Sequence, residues 1–290
     1  MPVCAVDAEP MARDDHLPFR QATRLVNEYQ LRVASVVLAL TGRELYQVST
    51  LLLIHRATIR DPSDLRVSFH GLAASLRRPS ETVRRAVHGL VAHGFCERAE
   101  RGVRRRPSFL AMPAIIAAEH RFREALGDLI DGLQRAGFAL PAGLHDAPPS
   151  ARVTAALDVQ LCAVEFAQPG LGRPLDLYLL GVVSVLNAAK LTHDPALSQR
   201  YGTDHPVAPD ALRCPATIAD IAALDGFPRT TIWHRARAAE AAGALRRAPG
   251  GGYLLAEKFL HKDPSTAALD RSKIRYILRV FHDLAAGRSG

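Results

Sequence analysis

Arginine is the residue type with the most evident chemistry in this chain, and its placement is uneven. Between Arg66 and Arg106 there are ten arginines (positions 66, 77, 78, 84, 85, 98, 101, 104, 105 and 106) against Glu81, Glu97 and Glu100, a net of +7 where the whole chain carries +8. A guanidinium is a planar fork of donors that fits a phosphate, or the O6 and N7 of guanine, two bonds at a time. Concentrated like this, the charge implies a polyanionic partner, because a basic surface attracts phosphate at long range.

Spacing sharpens the inference. Val83, Ala86, Val87 and Leu90 recur on one face of a 3.6-residue period, which leaves Ser80, Glu81, Arg84, Arg85 and His88 on the opposite face. Further along, Ile232, Arg235, Ala236 and Ala239 form a less clean inward face, opposite Arg229, Thr230, Trp233, His234 and Arg237. Arginine for guanine and hydroxyls for phosphates suit such polar faces to the major groove of duplex DNA. Trp233, the only tryptophan, has two readings that the sequence leaves open: packing against the C-terminal helix, or contact with DNA.

The elements that must position these faces occur twice. Ser68 to Arg98 aligns without a gap onto Thr217 to Arg247 at a constant offset of 149, with Ala73, Ala74, Pro79, Thr82, Ala92, Gly94 and Arg98 repeated identically. In the first copy Ser68 caps a helix whose Phe69, Leu72, Ala73 and Leu76 share a face. Thr217 and Asp220 form an acidic variant of the capping box in the second. Pro79 and Pro228 force a turn after this short helix and then open the next one. After Gly94, Phe95 to Arg98 and Arg104 to Leu110 flank a turn that includes Arg101; after Gly243, Ala244 to Arg247 and Tyr253 to Leu255 flank Pro249 to Gly252. Helix, turn, helix and hairpin are the parts of a winged helix-turn-helix, with Arg101, Arg104, Arg105, Arg106 and Arg247 on the wings.

Similarity also extends outward. Leu45-Tyr46 followed by an apolar run and Asp61-Pro62 matches Leu177-Tyr178, a run and Asp194-Pro195, and each copy ends in an amphipathic helix, Pro113 to Ala136 or Ser265 to Ala286. The expected organisation is mainly α with small β-wings, two winged helix-turn-helix domains from an internal duplication. Residues 1–24 are expected as a flexible arm, 25–140 as the first repeat with flanking helices, 141–152 as a Pro-rich linker and 153–290 as the second repeat.

Ile218 to Leu255, with Gly226-Phe227-Pro228-Arg229-Thr230-Thr231-Ile232, Gly243 and Gly251-Gly252-Tyr253, resembles the DNA-binding domain of the isocitrate-lyase-regulator family. Leu72-Ala73 with Ser80-Glu81-Thr82-Val83-Arg84-Arg85 is similar to the winged helices of the catabolite-activator family. In both families the helix after the turn enters the major groove and the wing touches the backbone, so the resemblance implies those roles here and adds Thr231 to the candidate contacts. Neither the cyclic-nucleotide jelly roll nor the α/β effector domain of those families is recognisable, so their ligands do not carry over.

Other classes are disfavoured. Cys4, Cys96, Cys162 and Cys214 are too scattered for a zinc knuckle or a disulfide framework, and no metal or cofactor is expected. A Gly-rich phosphate loop, paired carboxylates and a nucleophile elbow are all missing, so an enzyme is not expected. The apolar runs Val33–Leu40 and Tyr178–Leu186 are too short to span a bilayer, and Met1 to Arg20 lacks a signal peptide's pattern, so a cytoplasmic protein with no membrane contact is expected. The expectation is a bacterial transcription regulator that binds double-stranded DNA. A plasmid-type replication initiator and a winged-helix protein-interaction scaffold are the alternatives; a homodimer and a small-molecule effector of unknown class stay open.

Overall fold

The computed structural model describes residues 17–42, 44–60, 66–100, 102–166, 173–261 and 263–288. It is mainly helical, with two small antiparallel sheets. A first series of elements comprises α1 (Phe19–Leu40), α2 (Leu45–Arg60), β1 (Arg66–Val67), α3 (Phe69–Leu76), α4 (Ser80–Ala92), β2 (Cys96–Ala99), β3 (Gly102–Arg105) and α5 (Pro113–Arg135). A second comprises α6 (Pro149–Glu165), α7 (Pro174–His193), a short α8 (Pro195–Arg200), α9 (Ile218–Asp225), α10 (Arg229–Ala241), β4 (Leu245–Arg247), β5 (Tyr253–Leu255) and α11 (Pro264–Ala285).

Local chemistry explains the shared bounds of α3 and α9, and of α4 and α10. The Ser68 hydroxyl accepts from the Gly71 amide at 2.9 Å, and Thr217 and Asp220 cap each other reciprocally. The first helix of each pair stops at a left-handed residue, Arg77 (φ 50°) or Gly226 (φ 63°). Pro79 and Pro228 then sit at the N-caps of the next helices. Gly94 (φ 77°) and Gly243 (φ 65°) turn the chain into the hairpins. In the first sheet β3 lies between β1 and β2, with Val67 opposite Val103 and Cys96 opposite Arg105. In the second, Leu245 faces Leu255, and an isolated bridge from Ala216 to Tyr253 stands where β1 would be.

The two series are not packed side by side. Helix α1 lies against α5 but also against α7 and α11, while α6 lies against α11 but also against α2 and α5. The larger core therefore mixes Leu126, Ile130 and Leu133 of α5 with Leu157 and Leu161 of α6 and Ile277 and Phe281 of α11, all at most 1% exposed. A smaller core joins Leu179 and Val183 of α7 to Ile221, Ile232, Leu245 and Tyr253.

Three sequence expectations meet a different geometry. Residues 19–24 are not an arm but the first turns of α1, where Phe19 and Ala22 are buried and the Arg20 guanidinium donates to the Asp204 and Leu260 carbonyls; residues 1–16 of the expected arm lie outside the described residues. Within 141–152 the chain buries Leu144 and enters α6 at Pro149, so the main core runs through the segment expected as a linker. Helix α7 is longer than its unbroken apolar run because the helix continues past Asp176 and Lys190. At 20 residues it is, taken singly, the one helix among those described that is long and apolar enough to cross a membrane, although Leu179, Val182 and Val183 are buried within the protein.

Candidate nucleic-acid interface

Helix α4 divides as its periodicity predicts. Val83, Val87 and Leu90 are at most 2% exposed, whereas Ser80, Glu81, Arg84, Arg85 and His88 all face solvent. Arg84 and Arg85 lie 3.7 and 3.6 Å from the Glu81 carboxylate. Exposed pairs of this kind contribute little, so exchanging that carboxylate for a phosphate or a guanine edge costs little. Arg98 on β2 reaches the His88 ring at 3.5 Å, and with Arg84 they border a hollow of about 280 Å³ between α4 and the hairpin. Arg98 is thus brought into the candidate surface although its residue type alone does not mark it; the signal was its alignment with Arg247.

The hairpin corrects one assignment. Arg104 and Arg106 are exposed, and Arg104 donates to Glu97 at 2.5 Å, but Arg105 is 9% exposed and points into the core. Alternation along β3 and its exit puts neighbours on opposite faces, so three consecutive arginines cannot all face a ligand. Arg101 lies outside the described residues.

Arg105 instead meets His55 of α2, its Nη1 3.3 Å from the ring Nδ1, and stacks over Phe109 with its guanidinium carbon 5.6 Å from the ring centre. A guanidinium has no acceptor, so Nδ1 must accept, and the ring proton sits on Nε2, which donates to Glu119 at 3.1 Å. The imidazole is therefore neutral. Burial holds its pKa below the usual histidine value, opposed by the hydrogen bond and charge of Glu119, while the Arg105 charge lowers it further. Because the unfolded chain then takes up the proton first, this contribution to stability is present above about pH 6.5 and is lost as pH falls from there through the folded-state value. Chemical denaturation should show a stability loss between about pH 7 and pH 5 that is smaller in His55→Asn; an unchanged pH dependence would argue against a neutral, buried His55.

In the second series Arg229, Thr230, Trp233, His234, Arg237 and Arg247 are exposed and Thr231 is half-buried. Trp233 is 44% exposed, so it is not packed away against α11; its ring meets that of His234 at 4.8 Å, and the Arg237 guanidinium carbon lies 5.7 Å from its centre. Arg247 lies 3.4 Å from Glu240 and donates to the Tyr253 hydroxyl at 3.1 Å. This face is aromatic and cationic, whereas that of α4 is charged and compact.

What holds the second hairpin is a residue that periodicity does not single out. Asn187 of α7 is 2% exposed; its Nδ2 donates to the Cys214 and Tyr253 carbonyls, and its Oδ1 accepts from the Leu255 amide and from Arg213. Counted from the paired Leu45-Tyr46 and Leu177-Tyr178, His55 and Asn187 occupy the same position, 132 residues apart. Each is a buried polar side chain tying a long helix to the last strand of its hairpin.

Among the described residues no three His, Cys, Asp or Glu side chains gather as a metal-binding set. Cys96 is buried, which pushes its thiol up to about 12 and keeps it un-ionised. No protein-family model matches the chain, and no curated protein or solved structure matches it.

Proposed function

We propose that the two series are copies of one winged helix-turn-helix unit, that α4 and α10 enter the major groove of duplex DNA with the hairpins against the backbone, and that the protein is a bacterial transcription regulator. One observation carries this reading: a capped helix, a left-handed stop, a proline-opened helix with an exposed basic face, a positive-φ glycine and a hairpin recur in that order with helix bounds offset by 149 residues. An ordinary helical hairpin used only for packing does not call for arginines outward on α4 and on the hairpin that follows it.

Two units in one chain would let a monomer engage two half-sites, and the unlike faces of α4 and α10 call for unlike half-sites rather than a palindrome. The full chain should bind duplex DNA with an affinity that falls steeply with salt, by a logarithmic slope of about −0.9 for each phosphate neutralised. Fluorescence anisotropy on a labelled duplex across a salt series measures this. A flat series, or no binding at low salt, would refute the reading, and sequences selected from a random duplex pool would give the half-site arrangement.

A further inference from the structure

Among the exposed side chains of α10, Trp233 is the one that phosphate attraction does not explain. A single exposed apolar side chain is ordinary on a protein surface, so its 44% exposure carries nothing by itself. Its place in the two copies does. Trp233 is the fifth residue of α10, and the offset of 149 puts it on Arg84, the fifth residue of α4, just as His234 falls on Arg85. Both helices start after a proline N-cap, and both expose this position. Where α4 and α10 enter the groove alike, these two side chains meet the same place in their half-sites with opposite chemistry.

A guanidinium offers several donors and suits the O6 and N7 acceptors of guanine. An indole offers one donor, no acceptor and a large apolar surface, so it cannot make a bidentate base contact. Of the features that base pairs show in the major groove, the apolar one is the 5-methyl group of thymine.

The surroundings hold the ring for such a contact. Arg237, one turn on, has its guanidinium carbon 5.7 Å from the ring centre and lies 3.9 Å from the Glu240 carboxylate. The His234 ring meets the indole at 4.8 Å with 75° between their planes. Arg229, one turn back, is exposed, and Ile232 and Ala236 anchor the helix in the smaller core. Trp233 thus stands between two arginines at four-residue spacing, an apolar surface flanked by two charges that attract phosphate.

We propose that Trp233 reads the 5-methyl group of thymine, so that the half-site under α10 carries an A·T pair at the position where the half-site under α4 carries G·C. This rests on the DNA-binding reading above and deepens it by naming the base that each copy selects.

The test starts from the duplex that the full chain selects from a random pool and compares it with the same duplex made with uracil for thymine, which removes the methyl groups and keeps every Watson–Crick pair. Affinity should fall about fourfold for each methyl group buried against the ring. Trp233→Ala should lose that preference and Trp233→Phe should keep it, which separates a lost contact from a lost fold. Trp233→Arg, the residue of the first copy, should select G·C in place of A·T at one position of a fresh pool. Trp233 is the only tryptophan, so its emission should change when the thymine duplex is added. Selection of no duplex would overturn the DNA-binding reading and this one with it. A selected duplex bound equally with thymine or uracil, a thymine preference undiminished in Trp233→Ala, or an emission unmoved by the duplex would each overturn this proposal alone.

Discussion

Replacing Arg84 and Arg85 together by Ala should cost a cognate duplex about a hundredfold in affinity or more, since each good bidentate base contact is worth about 1–3 kcal/mol. A scrambled duplex should lose only what two charges supply. Both side chains are exposed, at 66% and 79%, and their neighbours on α4 hold the helix through Val83, Val87 and Leu90, so the fold should be indifferent to the change. The hairpin arginines should behave in the opposite way. Arg104→Ala with Arg106→Ala should weaken cognate and scrambled duplexes alike and flatten the salt slope by about one for each phosphate pair lost. Arg105, buried between His55 and Phe109, is the internal control: Arg105→Met should lower stability and leave the salt slope alone. Equal losses on both duplexes in the Arg84/Arg85 variant would move α4 from base reading to backbone contact.

The largest effect on stability is expected at Asn187. Asn187→Leu keeps the approximate volume but strips hydrogen bonds from the Cys214 and Tyr253 carbonyls, the Leu255 amide and the Arg213 guanidinium. The Tyr253 carbonyl keeps the Ala216 amide and Arg213 keeps Asp210 and the Leu255 carbonyl, so the Cys214 carbonyl and the Leu255 amide are the groups that lose their partner; at about 1–3 kcal/mol each, a loss of about 2–5 kcal/mol is expected by urea denaturation. A midpoint unchanged from the parent would mean that Tyr253 and the smaller core, not Asn187, hold the second hairpin.

How far the sequence foretold these features depends on the range of the interaction. Ser68, Thr217 with Asp220, Pro79, Pro228, Gly94 and Gly243 act on backbone within a few residues of themselves, so the bounds of α3, α4, α9 and α10 were legible from them. The split of α4 into buried and exposed faces was legible for the same reason. Arg105 was not, because which of three adjacent arginines turns inward depends on the register of β3 against β2. The pairing of Asn187 with Tyr253 and Leu255 spans more than 60 residues of chain, and one buried asparagine in an apolar run carries no periodic signal. Nor does an amphipathic helix name its partner: α1 and α6 each had an apolar face, but that α1 would cross to α7 and α6 to α2 is a tertiary outcome.

That crossing also orders events in time during synthesis. The ribosome releases α1 through α5 well before α11, yet Leu126, Ile130 and Leu133 share their core with Ile277 and Phe281. A nascent chain can form the local α3–α4 turn and its hairpin early, since their contacts are near in sequence, but it cannot seal the main core until α6 and then α11 have emerged. For that interval the inner faces of α1, α2 and α5 are apolar surface without a partner, the state in which chains of this kind are most open to chaperones and to one another. The same entanglement makes the two series inseparable as folding units: a fragment cut at 148 would keep α4 and its hairpin but lack the α6 and α11 side chains that close the core beneath them.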